Sequence, residues 1–220
     1  VFDSSDGTAK GKPLNGGQSS FFKPAGMSID PKNGDVYVAD GETVGGNHRI
    51  AVFDKSGKFL RQWELNRTAS ETGNSFMPIL HCVTMDNAGL VYVCDRRGHR
   101  VQVFDKTGEF QRNIPIPFTP TSPLPSGPGH ESGILGSAVA VGFSRDPGQK
   151  FMYVANQDNE RVDILDHATG NVLASFGRVG RLPGELTYIH FVAVDSKGNI
   201  YVSEVGTGKR VQKFNLVKGK

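Results

Sequence analysis

The sequence predicts an all-β chain, a β-propeller of four-stranded antiparallel blades, on three observations. The dipeptide Tyr-Val recurs at Tyr37-Val38, Tyr92-Val93, Tyr153-Val154 and Tyr201-Val202, which uses four of the five tyrosines in the chain. Each copy sits in the same surroundings. Upstream is an alternating apolar run ending in a turn: Met27 to Asp30, Val83 to Asp86, Val141 to Ser144 and Val192 to Asp195. Downstream is an arginine with a β-branched residue: Arg49-Ile50, Arg100-Val101, Arg161-Val162 and Arg210-Val211. Third, the 28 glycines and 12 prolines of this 220-residue chain are scattered among short apolar runs, as strands and tight turns require. Period-2 alternation bounded by Asp, Asn and Gly is the pattern of half-buried antiparallel strands. A unit of roughly 40–50 residues cannot bury both faces of its meander alone, and copies of it solve this by packing face to face around an axis. A sandwich does not need the same four-strand sentence repeated, and a helical solenoid shows a 3.6-residue period instead.

Taken in order, the blades fall at approximately 21–65, 76–116, 134–177 and 186–217, within a single domain over 1–220. Within each, the strand leading to Asp30, Asp86, Ser144 or Asp195 comes first and the Tyr-Val strand second. The Arg strand is third and ends at Phe53-Asp54, Phe104-Asp105, Leu165-Asp166 or Phe214-Asn215. A fourth run follows in three copies, Phe59 to Trp63, Phe110 to Ile114 and Val172 to Phe176. Val1-Phe2-Asp3 matches the third-strand ending Val52-Phe53-Asp54, so 1–16 reads as the remnant of a preceding blade and the ring as incomplete, with six blades when complete. Between the second and third blades, 115–136 is a proline-rich excursion that holds six of the twelve prolines. It is either a long surface loop or a segment that docks over one face of the ring.

Composition excludes several function classes. A hydrophobic content of 37% is too high for a disordered chain, and no apolar stretch approaches the roughly 18 residues of a membrane span. Lys and Arg exceed Asp and Glu by three, interspersed along the chain, so no nucleic-acid partner is expected. No Gly-rich phosphate loop or Gly-x-Ser-x-Gly elbow occurs. The repeat arginines are expected in ion pairs with nearby acids, and Asp30, Asp86 and Asp195 as turn formers whose side chains cap backbone N–H groups. If Met85 faces Val91, Cys82 faces Cys94. The pair is then either a cross-strand disulfide, which fits an extracellular or periplasmic compartment, or two small buried hydrophobes.

The run Val-x-Met/Val-Asp-x-x-Gly-x-Val/Ile-Tyr-Val, followed by Arg-Val-x-x-Phe, resembles the NHL repeat. Val36 to Gly41, Asn47 to Ile50, Phe53, Ser56 to Phe59, Gln62-Trp63, His81 and Asp95-Arg96 also resemble the peptidyl-α-hydroxyglycine α-amidating lyase family. That resemblance implies a zinc-dependent lyase-like propeller that splits a carbinolamide-type or other small polar substrate at the channel mouth. It implies His81 and His190 as metal ligands, each opening the first strand of its blade, with Ser137-Ala138 standing there in the intervening blade and a third histidine in a blade before the first. Arg96 matches a family arginine that would hold a substrate carboxylate. Tyr188, which stands where the family has methionine, offers a phenol near the metal. Glu42 stands where the family has a tyrosine. The alternative is a non-catalytic NHL module, with a protein or ligand on one propeller face.

Overall fold

The computed structural model describes residues 21–42, 46–67, 78–119 and 136–217. The expected remnant over 1–16 lies outside the described residues, as does the middle of the proline-rich excursion. The structure falls into two compact units, Val1–Asn113 and Ile114–Lys220.

In the first unit the meander β1 (Pro24–Ile29), β2 (Val36–Asp40), β3 (Arg49–Phe53) and β4 (Phe59–Glu64) forms one blade. A second consists of β5 (Leu80–Met85), β6 (Val91–Asp95), β7 (Arg100–Phe104) and β8 (Phe110–Pro115). The second unit holds β9 (Ala138–Phe143), β10 (Phe151–Asn156), β11 (Arg161–Asp166) and β12 (Val172–Phe176). After these come β13 (Ile189–Val194), β14 (Ile200–Glu204) and β15 (Arg210–Phe214). All strand pairs within these sheets are antiparallel, and no helix occurs among the described residues. The fold class is the one the sequence predicts, an all-β propeller.

Within each unit two consecutive blades bury their facing sides against each other. Tyr37, Ala39, Ile50 and Val52 of the first blade close on Leu80, Val83, Val91, Val93 and Phe104 of the second. Trp63 reaches across to Phe104, ring centroids 5.9 Å apart. In the second unit Val139, Ala140, Tyr153, Ala155 and Val162 close on Ile189, Val192, Val194, Ile200 and Val202. The third and fourth strands of the blades differ as a propeller requires. β7 is buried along its whole length, whereas β4 alternates between half-buried and exposed side chains and β8 does the same apart from the buried Ile114.

Local chemistry explains the repeated punctuation. Asp30, Asp86 and Asp195 each accept backbone N–H groups of the turn that follows, from Lys32, from Gly89 and Leu90, and from Lys197 and Asn199. The repeat arginines are paired as expected: Arg49 with Asp40, Arg100 with Asp95, Arg161 with Asp163 and Arg210 with Glu204. Arg161 departs from the pattern because Asn156 stands where the other blades end their second strand in an acid, so the charge is supplied from β11 itself. Cys82 lies opposite Cys94 and the two form a disulfide.

One feature of the first strands was not foreseen. In β1, β5, β9 and β13 the register shifts past one residue: Ala25, His81, Val139 and His190. Such a bulge interrupts alternation and re-aims a side chain. In the third blade the register shifts at Val139, one position beyond the Ser137-Ala138 pair that repeat matching selects.

Candidate functional site

His81 owes its position to that bulge. Its neighbours Leu80 and Cys82 pair with Asp95 and Cys94, which leaves His81 outside the ladder, buried with 4% exposure. β1 packs against the same point. A Cβ on Gly26 would lie 3.0 Å from the Cys82 Cα and 3.2 Å from the His81 carbonyl oxygen, so a side chain there would have to push the β5 backbone back by a few tenths of an ångström.

The loop after β6 supplies Arg96. Its backbone N–H donates to the Ile79 carbonyl at 2.9 Å, which ties the loop to the start of β5. The preceding Asp95 is fully buried and accepts from Gly98 N–H and from Arg100 Nε. Burial pushes its carboxyl up, and the Arg100 charge and these donors pull the other way.

The loop after β2 supplies Glu42. Gly41 has a φ of 136°, and a Cβ there would stand 2.5 Å from the His48 nitrogen, so the turn that delivers Glu42 needs glycine. The Glu42 N–H donates to the Lys23 carbonyl at 3.0 Å. The side chain, about a quarter exposed, then reaches across to the second blade. Its Oε1 lies 3.2 Å from His81 Nε2 and 3.6 Å from Arg96 Nη1. An imidazole, a guanidinium and a carboxylate thus meet at one oxygen in the first unit.

In the second unit the register of β13 shifts at His190, which is half-buried. Tyr188 lies two residues before it, buried, with a φ of 59°. Its ring covers Gly206, where a Cβ would meet Cδ1 at 2.5 Å. Its backbone N–H donates to Glu160 Oε1 at 2.6 Å, and the Ile189 N–H donates to Glu160 Oε2 at 3.2 Å. Burial pushes Glu160 up to about 7 against these two donors, and the nearby Asp158 and Glu204 carboxylates push in the same direction as burial.

Of the residues singled out in the sequence, then, His81 and Arg96 come together in the first unit, while Tyr188 and His190 share the entry to β13 in the second. Glu42 was legible only as a departure from the family pattern, not as the partner of His81 and Arg96. Glu160 was missed. Its signal was an acid directly before a repeat arginine, where the other blades carry His48, His99 and Lys209.

The stems of the proline-rich excursion are both tied to the turn between β10 and β11. Asn156 and Asn159 donate side-chain N–H groups to the Pro117 carbonyl, and the Thr119 N–H donates to Asn159. The returning Gly136 N–H donates to Asp158.

The NHL repeat family profile matches residues 21–53 and 79–104. Those two segments, one in each of the first two blades, are thus similar to the NHL repeat. Over 208 residues it is 31% identical to the NHL repeat-containing protein 3 of Mus musculus, a match that takes in 93% of this chain and 52% of that protein. It is 34% identical over 106 residues to the Caenorhabditis elegans protein named as a probable peptidyl-alpha-hydroxyglycine alpha-amidating lyase, pgal-1, covering 46% of this chain and 29% of that one. Among solved structures, virginiamycin B lyase from Staphylococcus aureus superposes with a TM-score of 0.57 at 13% identity, over 93% of this chain and 58% of that chain. At that identity the likeness is one of fold. The chain spans about half the length of the NHL repeat-containing protein 3 that it matches. Among the described residues no helix is long and apolar enough to cross a membrane.

Proposed function

We propose that this NHL propeller is a metal-dependent, lyase-like enzyme of the amidating-lyase type, acting on a small polar or peptidyl carbinolamide. The observation that carries the reading is the His81 bulge, whose Nε2 faces a carboxylate with a guanidinium beside it. The recurrence of histidine at the same bulge of β13 supports it, because alternate blades carry His81 and His190 while Ala25 and Val139 occupy the others.

The donor chemistry fits zinc. Imidazole nitrogens and a carboxylate oxygen are among its usual ligands, and a catalytic site uses about three protein ligands with one position open. His81 and His190 would hold the ion, which when bound supplies a Lewis acid for the substrate hydroxyl. Arg96 would anchor the substrate carboxylate through charge-assisted hydrogen bonds. Tyr188 would offer a phenol near the metal. The substrate is thus a small molecule or a peptide with a terminal carboxylate, and the disulfide supports an extracellular or periplasmic setting.

The test is release of glyoxylate from a peptidyl-α-hydroxyglycine by the zinc-loaded chain. Arg96→Ala is expected to lower kcat/KM about 10- to 100-fold, the loss of a hydrogen bond to a charged group. A chain that holds zinc and releases no glyoxylate would contradict the enzymatic reading. It would favour the second one, a protein- or ligand-binding NHL module, which similarity to NHL repeat-containing protein 3 along 93% of the chain supports.

A further inference from the structure

We infer that Glu42 is itself a metal ligand, so that the first two blades alone present a His81–Glu42 pair to a divalent cation. The inference rests on the metal-dependent reading above and alters its ligand set. A carboxylate from the loop after β2 takes a place that a three-histidine set would give to an imidazole.

The geometry points to this in two ways. The atom of His81 that faces Glu42 is Nε2, a ligand atom, and the separation is 3.2 Å. Two donors bound at about 2.0–2.1 Å to one tetrahedral cation lie roughly 3.3 Å apart, so the spacing suits a bridging ion with little movement of either side chain. Without metal the same spacing serves a hydrogen bond. On metal binding, any proton shared between Nε2 and Oε1 leaves to solvent, and the ion takes its place.

The supports also favour a fixed carboxylate. Glu42 follows a glycine that only its positive φ and close approach to His48 explain, and its N–H is held by the Lys23 carbonyl. Arg96 Nη1, 3.6 Å from the same oxygen, sets a positive charge beside the carboxylate and helps fix where it points. With His190 as proposed above, the set becomes two imidazoles and one carboxylate. This combination is used for catalytic zinc and leaves one less net positive charge at the ion than three imidazoles do.

The experiment uses the purified chain, stripped with a chelator and titrated with Zn²⁺ against a chromophoric competitor, with Co²⁺ absorption as a second readout. Glu42→Gln and Glu42→Ala are expected to weaken Zn²⁺ binding by about 100-fold and to shift the Co²⁺ spectrum, while Glu109→Gln, on an exposed turn, changes neither. Melting of the metal-free proteins shows that the variants are folded. If His81→Ala loses the metal but both Glu42 variants keep wild-type affinity and spectrum, the carboxylate is no ligand and the inference fails while the metal reading stands. If the folded wild-type chain binds neither ion, both are overturned.

Discussion

In β5 the residue after the bulge, Cys82, is cross-linked to Cys94, and Gly26 of β1 lies against the bulge's own carbonyl. In β13 the residues before the bulge, Tyr188 and Ile189, give their N–H groups to the buried carboxylate of Glu160. Both strands present a histidine by the same departure from regular pairing, yet one is braced by a covalent bond and close packing, the other by a titratable clasp. A bulge leaves backbone groups unpaired and needs such a brace, but the brace is set by whatever the neighbouring strand or blade offers. The two regions should therefore respond to different stresses.

The two braces differ most at the disulfide. Closing a loop with a sequence separation of 12 stabilises by about 3 kcal/mol on chain-entropy grounds. Replacing both Cys82 and Cys94 by Ala, or adding a reductant, is expected to lower stability in urea by about that amount, with the same loss at every pH between 5 and 8. A loss that varies with pH would show that the brace of β5 is not simply covalent.

Glu160 is the counterpart. Its folded-state value of about 7 lies above the ordinary 4.5, so the folded protein holds this proton where the unfolded chain releases it. The stabilisation is complete below pH 4.5 and is lost as pH rises through 7, up to about 3 kcal/mol in all. Stability measured from pH 4.5 to 8 should fall in the wild type, and Glu160→Gln, which stays neutral, should flatten that slope. An unchanged slope in the variant would assign the pH dependence to another group. Reductant should leave the slope intact.

Much of this architecture was written in local patterns. The aspartates that cap turns act within a few residues, and the arginine partners lie on the same or the next strand, so repeat spacing exposes both. That Cys82 faces Cys94 followed from register alone, once Met85 was set opposite Val91; the choice between a disulfide and two buried thiols did not. The bulges were not legible because apolar residues continue on both sides of the extra one. In β9 this displaced the matching position from Val139 to Ser137-Ala138. Glu42 and Glu160 were hidden for a different reason. Each acts across a blade boundary on a residue far away in sequence, and nothing in the spacing of either loop records which strand it will meet.

The same bulge carries histidine in β5 and β13 and an aliphatic residue in β1 and β9, so the bulge belongs to the fold and the histidines need an explanation of their own. Zinc content measured on purified, folded wild-type protein and on His81→Ala, His190→Ala and Val139→Ala tests that explanation most directly. One zinc per chain in the wild type and in Val139→Ala, lost in both histidine variants, is the expected result. Zinc content that neither histidine substitution changes would contradict it.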